Sequence, residues 1–519
     1  MRYLLHQNID FHAQQQPEKI AFKSAGQVIT YSKLGKETSS LAALLHHYGV
    51  KKTDRVGIFM PRGLQTASAI YGILKAGAVY VPIDPKAPKE RIQFLIKDCD
   101  IKVLITNAKA SKKLVGILPM SQLKAVIGVE TELAEQSIDW EAAVVFNESY
   151  KSNIAVLDQD LAYILYTSGS TGVPKGIMHT HYSGMNYAKL TASRYDIGID
   201  DVIGNHAPIY FDISTLGFFT GPYAGSTTVI ATDAEVLFAR SLAQLLITEN
   251  ITVWYSVPLA IIQMMESGGL EESNLASLRL LIYAGEPYAP DKLRAFMSEF
   301  AHVKVSNHYG PTETNVCTIY DLLSLPEGEA SIPIGTCWEN TEYLILDEEN
   351  RSCEQGQKGE LLIRSATNML GYWNNEKLTQ ASHYTIEVVT GLTKKYYRTG
   401  DLVIQDEKGI MHFHGRKDRQ IKLRGFRIEL SEIENKAISL QSITEACSFV
   451  QQNETDKKLA LAVLITKDEE ISEVNLKREL KQLLPQYAVP DDIYIEKSFP
   501  RTPTGKIDRN TLIKTINAR

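Results

Sequence analysis

The sequence predicts an α/β protein, with a large N-terminal domain of layered α/β subdomains plus a β-rich subdomain, and a small C-terminal α+β domain. Three observations predict this organisation. Apolar strand-like runs alternate with helical segments over residues 18–107 and again over 161–318. Short strands and turns replace this alternation after Gly335, and a last mixed unit begins near Gly415. The predicted domains are residues 1–417 and 418–519.

The two alternating stretches contain strands made mainly of apolar and β-branched residues. The predicted elements are strands 20–22, 55–59 and 78–82 with helix 64–76, then strands 162–166, 227–230, 253–257 and 280–284. Strands that are covered on both faces read as continuous apolar runs, whereas half-exposed strands alternate. We therefore predict a parallel or mixed sheet that is covered by helices.

The remaining elements predict the β-rich subdomain and the C-terminal domain. They are strands 343–346 and 359–363, then strands 420–424, 459–465 and 493–495 with helix 474–484. The segment Ser431-Glu432-Ile433-Glu434 matches a capping box, in which a serine caps a helix and a glutamate three residues later closes the box. This match predicts that a helix opens at Ser431.

Composition and charge exclude several classes of protein. Hydrophobic residues at 44% and charged residues at 22% are ordinary for a globular chain, which excludes disordered and fibrous proteins. The formal net charge of -6 comes from 61 acidic and 55 basic residues without a basic block. Nucleic acid is therefore not an expected partner.

Cysteine usage and hydropathy indicate where the protein works. The chain has neither a signal-peptide-like start nor an apolar run of about 18 residues, so we expect neither secretion nor a membrane span. The cysteines form no C-x-x-C pair, which favours a reducing cytoplasm over a zinc site or a redox disulfide. They are Cys99, Cys317, Cys337, Cys353 and Cys447.

A loop rich in glycine and hydroxyl groups follows the predicted strand 162–166. It reads Thr167-Ser168-Gly169-Ser170-Thr171-Gly172-Val173-Pro174-Lys175-Gly176. Glycines let the backbone N–H groups turn toward one point, and the hydroxyls and Lys175 add donors and positive charge, so a polyphosphate is the expected guest. Lys175 is followed by glycine rather than by Ser or Thr, so this is not a Walker loop, and it is not a G-x-G-x-x-G turn either.

This loop resembles the phosphate loop of the adenylate-forming superfamily, which includes nonribosomal peptide adenylation domains, acyl-CoA synthetases and luciferases. The resemblance covers nearly the whole chain, from about Thr30 to Arg509, with further motifs in the family's order. It implies an enzyme that uses ATP and Mg²⁺. A carboxylate and Mg-ATP would give an acyl-AMP and pyrophosphate, and a thiol would then displace AMP. Such an enzyme works by positioning and charge stabilisation.

The segment Asn307-His308-Tyr309-Gly310-Pro311-Thr312-Glu313-Thr314 resembles the family's second signature. The resemblance implies that Tyr309 stacks on adenine, that Asn307 reads the adenine edge, and that Gly285 also adjoins the nucleotide. Thr312 would contact the α-phosphate and Glu313 would hold magnesium. These roles suit the residue types, because an aromatic face fits a base and a carboxylate fits a hard cation.

Three further segments resemble the family's ribose, hinge and catalytic-lysine motifs. The resemblance implies that Asp401 accepts hydrogen bonds from both ribose hydroxyls, for which a carboxylate has the acceptor capacity. Arg416 would lie near the nucleotide, and Asp418 would be the hinge of a mobile C-terminal domain. Lys506 would bridge the substrate carboxylate and the α-phosphate and offset charge as the oxygen attacks phosphorus. The segments are residues 397–402, 415–422 and 500–509.

Residues 211–214 resemble the segment in which amino-acid-activating members place an aspartate against the α-ammonium of the substrate. A cation that is taken out of water needs a paired anion, and Asp212 would supply it at the end opposite Lys506. Fatty-acyl and aryl ligases usually lack this aspartate, so an α-amino acid is the favoured substrate. The alternative is that Asp212 simply caps a helix before Ile213 and Ser214.

The rest of the amino-acid pocket, when aligned by its motifs, is compact and mostly apolar. Apart from His308 and the Tyr255 hydroxyl, it offers no polar group for a side chain. The substrate-binding residues are Asp212, Ile213, Leu216, Tyr255, Ile282, Ala284, His308, Val316 and Cys317. The set is similar to proline-activating pockets, so L-proline is the expected substrate. Valine, pipecolate and other small apolar amino acids remain open.

The thiol acceptor is expected to belong to another molecule. Only residues 507–519 follow Lys506, and the sequence contains neither a carrier-protein serine motif nor a condensation-domain histidine motif. By resemblance to free-standing ligases, the acceptor is the phosphopantetheine arm of a separate carrier protein in a natural-product pathway. Two alternatives remain. An acyl- or aryl-CoA synthetase is disfavoured by Asp212. A catalytically silent nucleotide-binding protein is disfavoured by the joint presence of Lys175, Glu313, Asp401 and Lys506.

Overall fold

A computed structural model describes residues 2–117, 123–147, 154–169, 172–271, 274–325, 331–452, 457–466, 471–502 and 507–518. The chain divides into two compact units. The large unit comprises Met1–Pro85, Leu95–Tyr166 and Gly176–Lys417. The small unit comprises Lys86–Phe94, Thr167–Lys175 and Asp418–Arg519.

The helices and strands are numbered in chain order. The helices are α1 (Gln7–Gln15), α2 (Tyr31–His47), α3 (Leu64–Lys75), α4 (Lys89–Asp98), α5 (Ala108–Leu114), α6 (Trp140–Ala143), α7 (His181–Arg194), α8 (Gly221–Ala224), α9 (Asp233–Leu237), α10 (Ala239–Thr248), α11 (Pro258–Glu266), α12 (Pro290–Glu299), α13 (Glu376–Ala381), α14 (Leu430–Ile438), α15 (Glu473–Leu483) and α16 (Arg509–Asn517). In the described parts of the chain, no helix is both long enough and apolar enough to cross a membrane.

The strands follow the same numbering. They are β1 (Ile20–Ser24), β2 (Gln27–Thr30), β3 (Arg55–Phe59), β4 (Val79–Pro82), β5 (Val103–Thr106), β6 (Leu123–Gly128), β7 (Ala134–Asp139), β8 (Leu161–Thr167), β9 (Lys175–Thr180), β10 (Val202–Asn205), β11 (Thr227–Ile230), β12 (Val253–Ser256), β13 (Leu280–Tyr283), β14 (Lys304–Tyr309), β15 (Thr318–Leu322), β16 (Thr336–Cys337), β17 (Thr341–Leu346), β18 (Lys358–Ser365), β19 (Gly371–Tyr372), β20 (His383–Val389), β21 (Leu392–Gln405), β22 (Met411–Arg416), β23 (Gln420–Leu423), β24 (Phe426–Glu429), β25 (Ile443–Gln452), β26 (Lys457–Ile465) and β27 (Asp492–Glu496).

An eight-stranded sheet forms one layer of the large unit. Its strand order is β19-β9-β8-β4-β3-β5-β6-β7. Strand β3 pairs in parallel with β4 and β5, and β4 pairs in parallel with β8. Strands β4 and β5 are buried at every residue, because parallel sheets are covered on both faces. Ile58, Leu74, Tyr80 and Leu165 belong to the core on this sheet.

A nine-stranded sheet forms the second layer, in the order β16-β15-β14-β13-β12-β10-β11-β1-β2. Its centre is parallel, since β12 pairs in parallel with β10 and β13, and β13 pairs in parallel with β14. Strands β15 and β16 add to the edge in the antiparallel direction. The expectation of a parallel or mixed sheet is therefore confirmed for both layers.

The last part of the large unit is rich in β structure. Strands β17-β18-β21-β20 form one sheet, and β22 pairs with β21. All of these pairings are antiparallel. Ile345, Leu361, Val403 and Met411 pack in its core. This sheet confirms the β-rich subdomain that the change of composition after Gly335 predicts.

The small unit combines two antiparallel pairings with helices. Strands β23 and β24 form a hairpin, and a second sheet has the order β25-β26-β27. Ile433 of α14, Leu476 and Leu480 of α15, and Leu461 and Ile493 of the sheet share one core. This arrangement confirms the α+β class of the C-terminal region and, with the two mixed sheets, the α/β class of the whole chain.

The capping-box prediction at Ser431 is wrong. Helix α14 begins one residue earlier, and Glu429 at the N-cap position makes no side-chain capping hydrogen bond. Strand β24 ends at Glu429, so the chain passes directly from strand to helix and Ser431 lies inside the first turn. Glu434, which would close the box, instead accepts hydrogen bonds from Arg419 and Arg509.

Candidate active site

The second-signature residues lie at the end of a buried parallel strand. Asn307, His308 and Tyr309 are the last three residues of β14, and Gly285 closely follows the neighbouring β13. Ligands of open α/β sheets bind beyond the carboxyl ends of the strands. Gly285 has a φ of 96°, in the left-handed region that glycine adopts without strain. The Asn307 amide is oriented by a 2.8 Å hydrogen bond to the Pro333 carbonyl.

Asp401 is a buried carboxylate that is held on both oxygens. Its Oδ2 accepts a hydrogen bond from the Tyr309 hydroxyl, and its Oδ1 accepts one from the Arg416 guanidinium. Asp401 and Arg416 are register partners on β21 and β22, and Arg416 also donates to the Thr399 carbonyl at 3.2 Å. Burial and the Asp401 charge raise the pKa of Tyr309 well above its usual value. Each carboxylate oxygen has a second lone pair, so this arrangement can also accept from a diol.

Glu313 is fully buried beside Tyr372. Its Oε1 accepts a hydrogen bond from the Tyr372 hydroxyl at 2.8 Å, and its backbone carbonyl accepts one from the Met369 N–H at 2.7 Å. His179 Nε2 lies 2.9 Å from the carbonyl of the preceding Thr312. Burial lowers the pKa of His179 to about 4, although the Thr312 carbonyl and the Glu313 charge oppose this shift. The ring is therefore neutral near pH 7, and its Nε2 carries the proton.

The residues near Glu313 fit a magnesium ion whose other ligands are mainly phosphate oxygens. No group of three or more His, Cys, Asp or Glu side chains that could hold a metal occurs in the described ranges. Mg²⁺ is usually bound through one or two carboxylates together with substrate phosphates. Glu313 supplies a carboxylate of this kind, next to the residues that resemble a nucleotide site.

The candidate phosphate loop, Thr167–Lys175, belongs to the small unit. Gly172 has a φ of 82°, and its N–H donates to the Gly169 carbonyl at 2.9 Å. A Cβ atom at Gly169 would lie 2.1 Å from the Val173 carbonyl oxygen, so only glycine fits there. The loop backbone therefore explains both glycines. Two predicted phosphate ligands, Ser170 and Thr171, lie outside the described residues.

The hydroxyl groups before these glycines are buried. Thr167 Oγ1 has no hydrogen-bond partner in the part of the chain that is described. Ser168 Oγ is likewise buried and has no hydrogen-bond partner among the described residues. Lys175, the predicted cation of the loop, is the first residue of β9. The loop thus combines a buried donor with a nearby lysine.

Five predicted pocket residues pack in one apolar cluster on a face of the nine-stranded sheet. Tyr255 is the register partner of Ile282, so both side chains point to the same face. The His308 ring lies near this pair, with its centroid 5.7 Å from that of Tyr255. The predicted residues in this cluster are Leu216, Tyr255, Ile282 and Ala284, with Ile213 packed against them.

Val316 and Cys317 pack in two other clusters. Val316 packs with Trp338, whose ring centroid is 6.3 Å from that of His308. Cys317 packs with Tyr309, and its Sγ donates to the Tyr309 carbonyl at 3.4 Å. Val316 therefore lies toward His308, and Cys317 lies toward Tyr309.

Asp212 lies among buried tyrosines. It is the first residue of a 3₁₀ turn whose N-cap is Phe211, so it lies inside the turn rather than capping it. Burial raises the pKa values of Tyr163, Tyr187 and Tyr255, and the charge of Asp212 adds to each increase. The Asp212 carboxylate is thus a negative charge beside the apolar cluster that contains Tyr255.

The predicted hinge and lysine belong to the C-terminal part of the small unit. Asp418 Oδ1 accepts a hydrogen bond from the Gln420 N–H at 3.2 Å. Lys506 lies outside the described residues. Arg501 and Ile507, which flank the lysine segment, pair as an antiparallel bridge.

Several side chains that contact these residues were not predicted from the sequence. Tyr372 reaches Glu313 from a distant strand. The Tyr195 hydroxyl contacts His308 directly, and Ser306 and Asp321 contact that hydroxyl. These contacts depend on tertiary packing, which no sequence motif shows. Of these residues, Ser306 could have been predicted from the sequence. It lies two residues before His308, and residues two apart in a strand share one face of the sheet.

The fold and the ordered motifs define an adenylate-forming ligase, an enzyme that uses ATP. The chain belongs to the AMP-binding enzyme family, which matches residues 9–373, and the AMP-binding enzyme C-terminal domain matches residues 432–506. It is 30% identical, over 99% of both chains, to L-proline:(L-prolyl-carrier protein) ligase of Pseudomonas fluorescens. A protein of the same name from Streptomyces coelicolor is 32% identical over 93% of this chain and 91% of its own.

A solved structure shows the same fold. It is the adenylation domain AlmE of Vibrio cholerae in complex with glycyl-adenosine-5'-phosphate. The TM-score is 0.85 over 100% of this chain and 98% of that chain, at 24% sequence identity. At this identity the similarity supports the fold alone.

Proposed function

We propose that this ligase activates a small apolar amino acid, best L-proline, as its aminoacyl-AMP and passes it to the phosphopantetheine thiol of a separate carrier protein. The observation that carries the proposal is the position of Asp212 beside the apolar cluster of Tyr255 and Ile282. A carboxylate there can pair with a desolvated α-ammonium, while the cluster offers a compact wall to an apolar side chain. The two relatives named as L-proline:(L-prolyl-carrier protein) ligases support the choice of proline.

The nucleotide would lie along the strand ends of the nine-stranded sheet. Tyr309 offers its ring to adenine, and Asn307 offers its amide to the adenine edge. Asp401 would accept the ribose hydroxyls with Arg416 beside it, and Gly285 allows the backbone to come close. The support for this arrangement is the pairing of Tyr309 and Arg416 with the same carboxylate.

The phosphates would be held by hydroxyl groups, backbone N–H groups and one lysine. The loop residues are Thr167, Ser168, Gly169, Ser170, Thr171, Gly172 and Lys175. The buried Thr167 hydroxyl, which lacks a partner among the described residues, supports this role. Thr312 would contact the α-phosphate, and Glu313 would hold Mg²⁺, which when bound neutralises phosphate charge.

Adenylation needs positioning more than covalent help from the protein. A carboxylate oxygen of the amino acid attacks the α-phosphorus, and pyrophosphate leaves with the electrons of the broken P–O bond. Asp212 would hold the α-ammonium, so the carboxylate is oriented before attack. Lys506 would bridge this carboxylate and the α-phosphate and offset the negative charge that develops.

Transfer requires the thiol to reach the adenylate. The thiolate attacks the carbonyl carbon of the aminoacyl-AMP, and AMP leaves as the thioester forms. Asp418 would be the pivot about which the C-terminal domain, residues 418–519, changes orientation between the two steps. The five cysteines form no disulfide, which favours a reducing compartment, so we place the enzyme and its carrier protein in the cytoplasm, in a natural-product pathway.

Amino-acid-dependent ATP/pyrophosphate exchange over a panel of substrates tests the proposal. We expect L-proline to give the highest rate, and the activated proline to load a phosphopantetheinylated carrier protein but not free CoA. A best substrate without an α-amino group would contradict both the proline assignment and the role of Asp212. Efficient transfer to CoA would instead identify an acyl- or aryl-CoA synthetase. If no carboxylate supported exchange, the chain would be a catalytically silent nucleotide-binding protein.

A further inference from the structure

A chain of hydrogen bonds joins His308 to the carboxylate of Asp321. His308 Nε2 lies 2.8 Å from the Tyr195 hydroxyl, which lies 2.8 Å from Ser306 Oγ. Ser306 donates to Asp321 Oδ1 at 2.7 Å, and the Tyr195 hydroxyl is 3.2 Å from the same oxygen. His308, Tyr195 and Ser306 are buried, so their mutual contacts are sheltered from water.

This chain of hydrogen bonds shares a sheet face with the candidate amino-acid pocket. Ser306 is the register partner of Ile282 on one side and of Asp321 on the other. His308 follows Ser306 by two residues on the same strand and therefore points to the same face. Tyr195 packs in the apolar cluster that contains Ile282.

Asp321 fixes one end of the chain because it is ionised. Its Oδ2 accepts a hydrogen bond from Arg194 at 3.0 Å, and Lys304 Nζ lies 3.7 Å away. Burial opposes ionisation, but the Ser306 hydroxyl and these two cations lower the pKa of Asp321 below its usual value. An ionised carboxylate only accepts hydrogen bonds, so its neighbours must donate to it.

The direction of the remaining hydrogen bonds follows from the number of protons. Ser306 gives its single proton to Asp321, and Tyr195 shares its single proton between Ser306 Oγ and Asp321 Oδ1, which lie 2.8 and 3.2 Å from its oxygen. If either bond were reversed, an oxygen–oxygen contact of 2.7 or 2.8 Å would have no proton between its atoms. Tyr195 therefore has no proton for His308, and His308 Nε2 must donate to the Tyr195 oxygen.

His308 consequently has one nitrogen that can only accept. Burial lowers the pKa of His308 to about 3, so the ring is neutral near pH 7 and carries a single N–H. That proton is on Nε2, which leaves a lone pair on Nδ1. His308 Nδ1 is buried and has no hydrogen-bond partner within the described ranges.

A buried donor lies next to this acceptor. Trp338 Nε1 also has no hydrogen-bond partner in the described chain, and an indole N–H can only donate. The ring centroids of His308 and Trp338 are 6.3 Å apart, and Trp338 packs against Val316, another predicted pocket residue. An acceptor and a donor that both lack partners match a group that can donate and accept at once, which is an O–H group.

We propose that His308 Nδ1 and Trp338 Nε1 form a polar subsite of the amino-acid pocket that binds one O–H group, and that Tyr195 is the positioning residue that sets the tautomer of His308. The O–H group donates to Nδ1 and accepts from the indole. It belongs either to a hydroxylated amino acid or to a water molecule that is retained beside an apolar one. The subsite rests on the proposed function, because it is part of the same amino-acid pocket.

The tautomer of His308 can be measured on the full-length enzyme without any substrate. In enzyme labelled with ¹⁵N in the histidine rings, we expect an unprotonated Nδ1 and a protonated Nε2, with the His308 signals identified by their loss in His308→Gln. Tyr195→Phe should abolish the single tautomer. Ser306→Ala should preserve it, because Tyr195 can still donate to Asp321 directly.

Two outcomes of this measurement would overturn the proposal. One is a protonated Nδ1 in the unmodified enzyme, which would remove the acceptor whatever amino acid is bound. The other is an unchanged single tautomer in Tyr195→Phe, which would mean that Tyr195 does not position His308.

Pyrophosphate exchange tests the subsite with its ligand bound. In Trp338→Phe and in Tyr195→Phe, KM for the amino acid should rise about tenfold while KM for ATP stays unchanged, as expected for the loss of one buried hydrogen bond. Tyr182→Phe, which removes the hydroxyl of an exposed tyrosine, is the matched control and should change neither constant. An unchanged KM for the amino acid in both pocket variants would overturn the subsite.

The source of the O–H group follows from comparing L-proline with cis- and trans-4-hydroxy-L-proline. A kcat/KM ratio above one for a hydroxylated substrate, lost in Trp338→Phe, assigns the substrate hydroxyl. A ratio below one, together with the tenfold rise in KM for L-proline, assigns a retained water. If a different amino acid supports exchange, the proline proposal fails. The ¹⁵N shifts of His308 and the change in KM for that amino acid in the pocket variants then still test the subsite.

Discussion

The two carboxylates proposed to serve the nucleotide and the groups proposed to bind the amino acid satisfy their hydrogen bonds differently. Both nucleotide-side carboxylates, Asp401 and Glu313, accept hydrogen bonds from side chains of the protein. In the amino-acid pocket, Asp212 lies beside an apolar cluster. There, His308 Nδ1 and Trp338 Nε1 have no partner among the residues that the structure describes.

This difference indicates which groups of the enzyme are already oriented before their ligand binds. A group that is already paired is oriented before binding, so its ligand adds to an existing arrangement. A buried group without a partner relies on the ligand for its hydrogen bond, so changing that group alters recognition directly. Substitutions in the amino-acid pocket should therefore reduce activity more than substitutions at the paired carboxylates of the nucleotide side. Their effect should also be more selective for the amino acid.

The largest effect is expected where the two proposed ligands react. Lys506→Ala should reduce adenylate formation by on the order of a thousandfold, because its charge would act on the attacked phosphorus. Transfer from supplied aminoacyl-AMP should continue, since no phosphorus is attacked in that step. Single-turnover assays of each half-reaction measure both rates, and an equal loss of both steps would contradict this role.

Asp212→Ala should give the next largest loss of activity, and the loss should concern the amino acid and not ATP. Stranding a buried ammonium costs about 3 kcal/mol, or roughly a hundredfold in kcat/KM for the amino acid. KM for ATP should stay unchanged in pyrophosphate exchange. Asp200→Ala, at an exposed aspartate, is the matched control. A similar loss in the control, or a rise in KM for ATP, would show that Asp212 does not act on the ammonium.

Glu313→Gln should have a smaller effect, on the nucleotide side. The amide oxygen can still bind a hard cation but is a poorer ligand than a carboxylate, and phosphate oxygens would supply most ligands. We expect about a tenfold lower exchange rate at limiting Mg²⁺, with partial recovery as Mg²⁺ is raised. A rate that is unchanged at every Mg²⁺ concentration would remove Glu313 as a metal ligand.

The sequence was sufficient for features that depend on local composition. Strand 227–230 was predicted with the bounds that the structure has, and the predicted helix 64–76 is observed as Leu64–Lys75. Short runs rich in apolar and β-branched residues indicate buried strands whatever their neighbours are. The proposed nucleotide motifs could be named for a similar reason, because Asn307 and Tyr309 lie two residues apart in one segment.

Features that depend on strand pairing could not be predicted from the sequence. The antiparallel register of β14 and β15 places Ser306 opposite Asp321, and both contact the Tyr195 hydroxyl that is hydrogen-bonded to His308. The capping box at Ser431 failed for a related reason. Its local signal is correct in composition, but β24 runs directly into α14 and moves the start of the helix by one residue. Tertiary context thus overrode a capping preference worth about 1 kcal/mol.

The smallest effect is expected from Tyr309→Phe, which tests whether the nucleotide side is held in advance. The variant keeps the ring for stacking but removes the hydrogen bond to the buried Asp401 carboxylate, while Arg416 still donates to its other oxygen. Without ATP the variant should therefore unfold at a lower temperature, by the equivalent of about 1.5 to 3 kcal/mol for a lost hydrogen bond to a charged group. A ribose hydroxyl can donate to the freed oxygen, so saturating ATP should shrink this difference, and KM for ATP should change by less than about threefold.

Thermal unfolding with and without ATP, together with pyrophosphate exchange, measures both quantities. A tenfold higher KM for ATP would mean that the Tyr309 hydroxyl binds the nucleotide itself, and the contrast between a paired nucleotide side and a pocket completed by its ligand would no longer hold.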